Sequence, residues 1–149
     1  MSLPKFSIKN IQSLNTKLAD IEQIENYFYN NHKIASYIYK KLNEAFEFYA
    51  NSDYRISKIA CEEIMRETTI CDKAYYLYSL LNFQNDDYDQ AKDYILKAIS
   101  VNPNVPDYYF VLANIELALN NDMRFLGNKY HIKSIESTIN KALQLKEKN

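Results

Sequence analysis

Residues 73–103 read KAYYLYSLLNFQNDDYDQAKDYILKAISVNP, and this stretch decides the fold. Tyr75, Tyr78 and Ser79 fall at helical spacing and form a large, large, small series on one face. Asn85-Asp86-Asp87-Tyr88 is a polar turn. Ala91, Ile95 and Ala98 then recur at steps of four and three, a small and apolar stripe on a second helix. Small residues let two helices approach closely and aromatic rings fill the space beside them. Pro103 closes the unit because proline cannot continue a helix. The stretch predicts a helical hairpin.

The hairpin recurs. Tyr54 and Tyr88 lie 34 residues apart, and Asn51-Ser52-Asp53-Tyr54 aligns with Asn85-Asp86-Asp87-Tyr88 without a gap. At that offset Ser57 falls on Ala91, Cys61 on Ile95 and Ile64 on Ala98. One step forward, Tyr75 lands on Tyr109, Tyr78 on Leu112 and Ser79 on Ala113. The matching second helix comes about ten residues late against the period, with Ile135, Ile139 and Ala142 at the required mutual spacing.

On these residues the chain resembles the tetratricopeptide repeat (TPR) family, whose period is 34 residues. Leu112-Ala113-Asn114 is similar to the Leu-Gly-Asn run common in that family's first helices. The resemblance implies an all-α fold of antiparallel helical hairpins stacked as a short TPR-like superhelix, an α-solenoid of about seven helices. It covers residues 38–147, with repeats at about 38–71, 72–105 and 106–147. An insertion lies near 121–130. That segment, NDMRFLGNKY, holds Gly127, Phe125 and Leu126, and reads as a long surface loop or an apolar-tipped contact element.

Residues 1–33 stand apart from the 34–149 array. Ile8, Ile11, Leu14, Leu18, Ile21, Ile24 and Phe28 recur at steps of three or four, one stripe on an amphipathic helix with Ser7 as N-cap. The segment fits the repeat pattern at no offset. Three roles are open to it: a cap over the first repeat, an occupant of the binding groove, or a pairing surface for another chain. In the first repeat, one helix is expected near 34–50 and its partner near 54–67. Glu44 stands where the family places a large apolar residue; a one-residue shift puts Leu42, Ala45, Phe46 and Tyr49 on the packing face instead. Asp72 is a candidate N-cap, Asp87 with Gln90 resembles a capping box, and Pro106 suits a first helical turn.

At 149 residues, with hydrophobic residues at 47% and charged residues at 25%, the chain is expected to be one globular domain. One glycine and three prolines argue against a turn-rich β protein. The net charge of −1 gives no general attraction to nucleic-acid phosphates or anionic lipid. The absence of a membrane-span pattern and of a signal pattern leads to the expectation of a cytoplasmic protein. Cys61 and Cys71 match no metal or redox spacing, and isolated thiols fit a reducing compartment. His32 and His131 form no ligand motif, and a single glycine allows no phosphate loop. Asp86, Asp87 and Asp89 lack the glycine and terminal glutamate of a calcium loop and read as turn and capping residues. No catalytic, cofactor or metal site is expected, and so no enzyme.

Function is therefore expected on a surface. The TPR resemblance implies a concave groove lined by first helices that holds a partner's peptide or helix. Where one TPR subtype grips a C-terminal carboxylate with Lys, Asn and Arg, this chain has Leu42, Phe46, Leu77, Asp107 and Val111, so an acidic C-terminus is a poor ligand. In the 34-residue register Tyr39, Leu42, Phe46, Tyr49, Tyr76, Leu80, Phe83, Phe110, Asn114 and Leu117 face the groove. A register error of one residue turns each position by about 100° and makes many of them inter-helix core. The leading expectation is a protein-interaction or scaffold module for an apolar or amphipathic segment. The alternatives are a self-associating assembly protein, with a possible homodimer, and a small TPR-type secretion chaperone. No nucleic-acid or membrane partner is expected.

Overall fold

A computed structural model describes residues 32–121 and 130–148. The N-terminal stripe and most of the insertion lie outside the described residues. Within them the fold is all-helical, with six helices and no strand: α1 (His32–Ala50), α2 (Tyr54–Glu67), α3 (Asp72–Gln84), α4 (Tyr88–Val101), α5 (Pro106–Asn120) and α6 (Tyr130–Glu147). Consecutive helices pack in pairs, the plan of a helical-repeat protein. The chain divides into two compact units, one ending at Leu77 and the other beginning at Tyr78.

The turns show why the chain folds back every 34 residues. After α1, Ser52 takes a left-handed φ of 66°, Ser52 N–H donates to Tyr49 O at 3.0 Å and Asp53 N–H to Phe48 O at 2.8 Å. After α3, Asp86 takes φ 60°, Asp86 N–H donates to Phe83 O at 3.1 Å and Asp87 N–H to Asn82 O at 2.9 Å. Both are Schellman closures, which satisfy the last carbonyls of a helix and reverse the chain. Behind each turn two rings meet at 5.3 Å, Tyr49 with Tyr54 and Phe83 with Tyr88.

Both left-handed positions carry a side chain where glycine is cheapest. Ser52→Gly is therefore expected to stabilise the chain by about 0.5 kcal/mol, the relief of the Cβ clash exceeding the added entropy of the unfolded chain. Urea denaturation checks it: the midpoint should rise at constant slope.

Each hairpin is pinned where its helices come closest. In the first, Ser57 Oγ on α2 donates to Ala45 O on α1 at 2.7 Å. In the second, Ser79 Oγ on α3 donates to Ala91 O on α4 at 2.6 Å. The two positions are the same in the repeat, but the hydroxyl has changed helix. Apolar stripes seal the contact, with Ala60, Cys61 and Ile64 on α2 and Ala91, Ile95 and Ala98 on α4 all buried. At the surface the Lys41 ammonium meets the Glu63 carboxylate at 2.8 Å, holding the Glu63 carboxyl below and the Lys41 amine above their ordinary values.

The links between hairpins repeat too. Thr68 N–H closes α2 on Ile64 O, and Thr68 Oγ1 accepts from Ile70 N–H. One period later Asn102 N–H closes α4 on Ala98 O, and Asn102 Oδ1 accepts from Asn104 N–H. Tyr75 Oη donates to Thr69 O at 3.1 Å, and Tyr109 Oη to Pro103 O at 2.8 Å. Each tyrosine ties its helix to the loop that feeds it.

Two local expectations, the N-cap of α3 and the capping box of α4, need correction. Cys71, rather than Asp72, stands at the N-cap of α3, because its carbonyl accepts from Ala74 and Tyr75 N–H. Asp72 is the first helical residue and favours the helix dipole instead. The capping box at α4 is only half made. Asp87 Oδ1 accepts from Gln90 N–H at 3.3 Å, but the Asp87 N–H that Gln90 would accept already serves the Schellman turn. In α1, Leu42, Ala45, Phe46 and Tyr49 are buried and Glu44 is half-buried, which is the shifted register.

Candidate functional site

The first helices differ in how much of their surface they bury. On α1, Leu42, Phe46 and Tyr49 are buried and Tyr39 is half-buried. On α3, Tyr76 and Leu80 are buried and Phe83 is half-buried. The Phe46 and Tyr76 rings stand 6.5 Å apart. On α5, Phe110, Asn114 and Leu117 are all half-buried.

The α5 case is the simplest. Tyr108, Val111, Leu112, Ala113, Ile115 and Glu116 are its buried residues. Phe110, Asn114 and Leu117, at i, i+4 and i+7, form a stripe on the opposite side. That stripe offers two apolar side chains and one amide on a single rigid element.

Two buried polar residues, Glu116 on α5 and Asn82 on α3, escaped the pattern of small and large residues. Glu116 is buried, and its carboxylate accepts from Ser134 Oγ at 2.7 Å and Thr138 Oγ1 at 3.0 Å. The third hairpin is thus clasped by a carboxylate, where the earlier two use a serine on a carbonyl. The only sequence signal was an acidic residue on the apolar side of α5. Asn82, one period before Glu116, is buried as well and donates to Tyr78 O at 2.8 Å.

The chemistry-bearing residues go to structure. Asp87 caps α4, and Asp86 accepts from Tyr88 Oη at 3.0 Å. Cys61 and Cys71 are free thiols. Burial pushes the Cys61 thiol well above its ordinary range and Cys71 up to about 12, so neither is a thiolate at neutral pH. Among the described residues no cluster of histidine, cysteine and carboxylate side chains could hold a metal ion. Nor is any described helix long and apolar enough to cross a membrane.

Paired helices, turns recurring at one period and an accessible stripe on a first helix define a helical-hairpin repeat protein. Residues 72–105 match the family model of the tetratricopeptide repeat, and the chain carries a TPR unit there. The hydrogen bonds that this unit shares with residues 45–70 and 102–109 extend the same geometry to either side of it. No curated protein matches the chain. The TPR is in general a non-enzymatic repeat of interaction and scaffold proteins.

Proposed function

We propose that this chain is a protein–protein interaction module whose first helices hold an apolar or amphipathic segment of a partner protein. The observation that carries the reading is the half-buried stripe Phe110, Asn114 and Leu117 on α5, opposite that helix's core side. Phe83 at the end of α3 and Tyr39 on α1 are the other register positions left half-buried. Leu42, Phe46 and Tyr49 on α1 and Tyr76 and Leu80 on α3, the remaining register positions, are buried. A phenylalanine and a leucine with an amide between them suit a helix or strand with one apolar side and a backbone or polar group beside it.

The double variant Phe110→Glu/Leu117→Glu tests this. Both positions are half-buried, so the fold should survive while two carboxylates face the partner's apolar side. Binding to amphipathic helical peptides, read by fluorescence anisotropy, is expected to weaken at least about tenfold, the loss of roughly one contact residue's worth of binding. Unchanged binding in a folded variant would sink the reading.

One observation favours a second reading, self-association. On α6, Ile132 and Leu143 are 53% and 47% exposed and lie on one side of the helix with half-buried Ile139 between them. If that side joins two copies, Ile132→Lys/Leu143→Lys will convert a dimer to a monomer in sedimentation velocity. A wild-type chain that sediments as a monomer at high micromolar concentration removes the idea.

A further inference from the structure

Helix α6 has two patterned sides. Ile135, Ala142 and Leu145 are buried, and the Glu116 carboxylate of α5 holds the Ser134 and Thr138 hydroxyls, so this side lies on α5. A second stripe runs along the accessible surface. Ile132, Glu136, Ile139 and Leu143 follow at steps of four, three and four, the spacing of a heptad seam. They fall within about 60° of one another around the helix. Ile139 is half-buried and the other three are exposed. Along one edge of that seam stand Lys133, Asn140 and Glu147, seven residues apart and all exposed. Seven residues return to nearly the same side, so these three form a straight row: cation, amide, anion. Among the described residues neither Lys133 nor Glu147 forms an ion pair.

We infer that this side of α6 is a two-fold interface, in which two copies of the chain lay their α6 helices together antiparallel with Asn140 at the axis. This rests on the self-association reading of α6 and gives it a geometry. A two-fold contact pairs each residue with one at equal distance beyond the axis, and makes every pairing twice. Lys133 lies seven residues before Asn140 and Glu147 seven after. The Lys133 ammonium of each copy therefore meets the Glu147 carboxylate of the other. Glu136, the one charge on the seam, comes level with Gln144, whose exposed amide can donate to it. Asn140 meets its own counterpart, and a primary amide, both donor and acceptor, is complementary to itself. Ile132, Ile139 and Leu143 make the apolar contact between the two helices. A parallel pairing sets Lys133 level with its counterpart and Glu147 with its own, and like charges oppose it. A partner without this charge order gains the apolar contact alone, so the row selects a second copy.

Sedimentation velocity of the full chain, up to high micromolar concentration, tests this by charge exchange. Wild type is expected to show a monomer–dimer equilibrium. Lys133→Glu and Glu147→Lys each set like charges together twice and are expected to raise the dimer dissociation constant at least about tenfold. The double variant Lys133→Glu/Glu147→Lys rebuilds both pairs with their ends exchanged and is expected within about threefold of wild type. Both positions are exposed, so the fold is retained in all three, as circular dichroism checks. The axis is read separately by cysteine linking. Asn140→Cys oxidised with diamide is expected to give a covalent dimer that wild type does not. Lys133→Cys is expected to give none, because antiparallel pairing sets its two copies about 21 Å apart along the helices. A dimer untouched by either single variant, a double variant as weak as the singles, or Lys133→Cys linking as readily as Asn140→Cys overturns the antiparallel geometry and leaves self-association standing. A monomeric wild type removes both. The Phe110→Glu/Leu117→Glu test of partner binding is independent of either result.

Discussion

Phe46→Ala is expected to lower the stability of the chain by about 3–5 kcal/mol, the usual cost of emptying a phenylalanine site in a closed core. The ring is fully buried and stands 6.5 Å from Tyr76, and α1 is buried on either side of it at Leu42, Ala45 and Tyr49. Removing it leaves those neighbours without contact atoms on one side, and a close-packed core relaxes only partly into the gap. Against the 5–15 kcal/mol typical of a native protein, this is a large share. Urea or guanidinium unfolding followed by circular dichroism measures it, with the midpoint falling at constant slope. A loss under about 1 kcal/mol would mean that the ring is not enclosed. The same measurement separates support from contact: Phe46→Ala should act on stability, whereas Phe110→Glu/Leu117→Glu should act on binding.

Ala91→Leu is the second large effect, expected to cost about 3 kcal/mol. Ala91 is fully buried, and its carbonyl receives the Ser79 hydroxyl at 2.6 Å, so the α3 and α4 backbones approach closely there. Three added carbons have no free volume to enter and must push the helices apart, breaking that bond and the Tyr78–Tyr94 edge contact with it. The control comes from the first hairpin, where the hydroxyl sits on the other helix. Exchanging the pair, Ser79→Ala with Ala91→Ser, rebuilds the Ala45–Ser57 arrangement and should stay within about 0.5 kcal/mol of wild type. Ser79→Ala alone should lose about 1 kcal/mol, one hydrogen bond's net contribution. Thermal and urea unfolding of the three variants checks the order. If Ala91→Leu proves as mild as the exchange, close helix approach is not what holds the hairpin.

Much of the fold was legible because its determinants are short-range. Ala91, Ile95 and Ala98 are a stripe whatever lies around them, and all three are buried. Asn51-Ser52-Asp53-Tyr54 and Asn85-Asp86-Asp87-Tyr88 form the same Schellman turn because polar residues tolerate the left-handed position that ends each first helix. The span expected near 54–67 is α2. Smaller misreadings came from competition among neighbouring groups. Asp72 lost the N-cap to Cys71, and the Asp87 N–H was taken by the preceding turn before Gln90 could use it.

The candidate site was less legible. The register names ten side chains, but a first helix that is apolar on all sides has no stripe to mark which side is open. Tyr76 and Leu80 read the same as Phe110 and Leu117 until burial separates them. Glu116 shows the limit from the polar side: its carboxylate is held by hydroxyls 18 and 22 residues away, across an insertion that breaks the period.

The sequence by itself determined the helices, their pairing and the 34-residue return of the turn, since spacing, residue size and turn chemistry act within a few residues of one another. Only the tertiary structure decided which aromatic side chains are core and which remain accessible. Burial depends on every element packed around a helix, and an all-round apolar sequence such as α3 is compatible with any of its sides facing out.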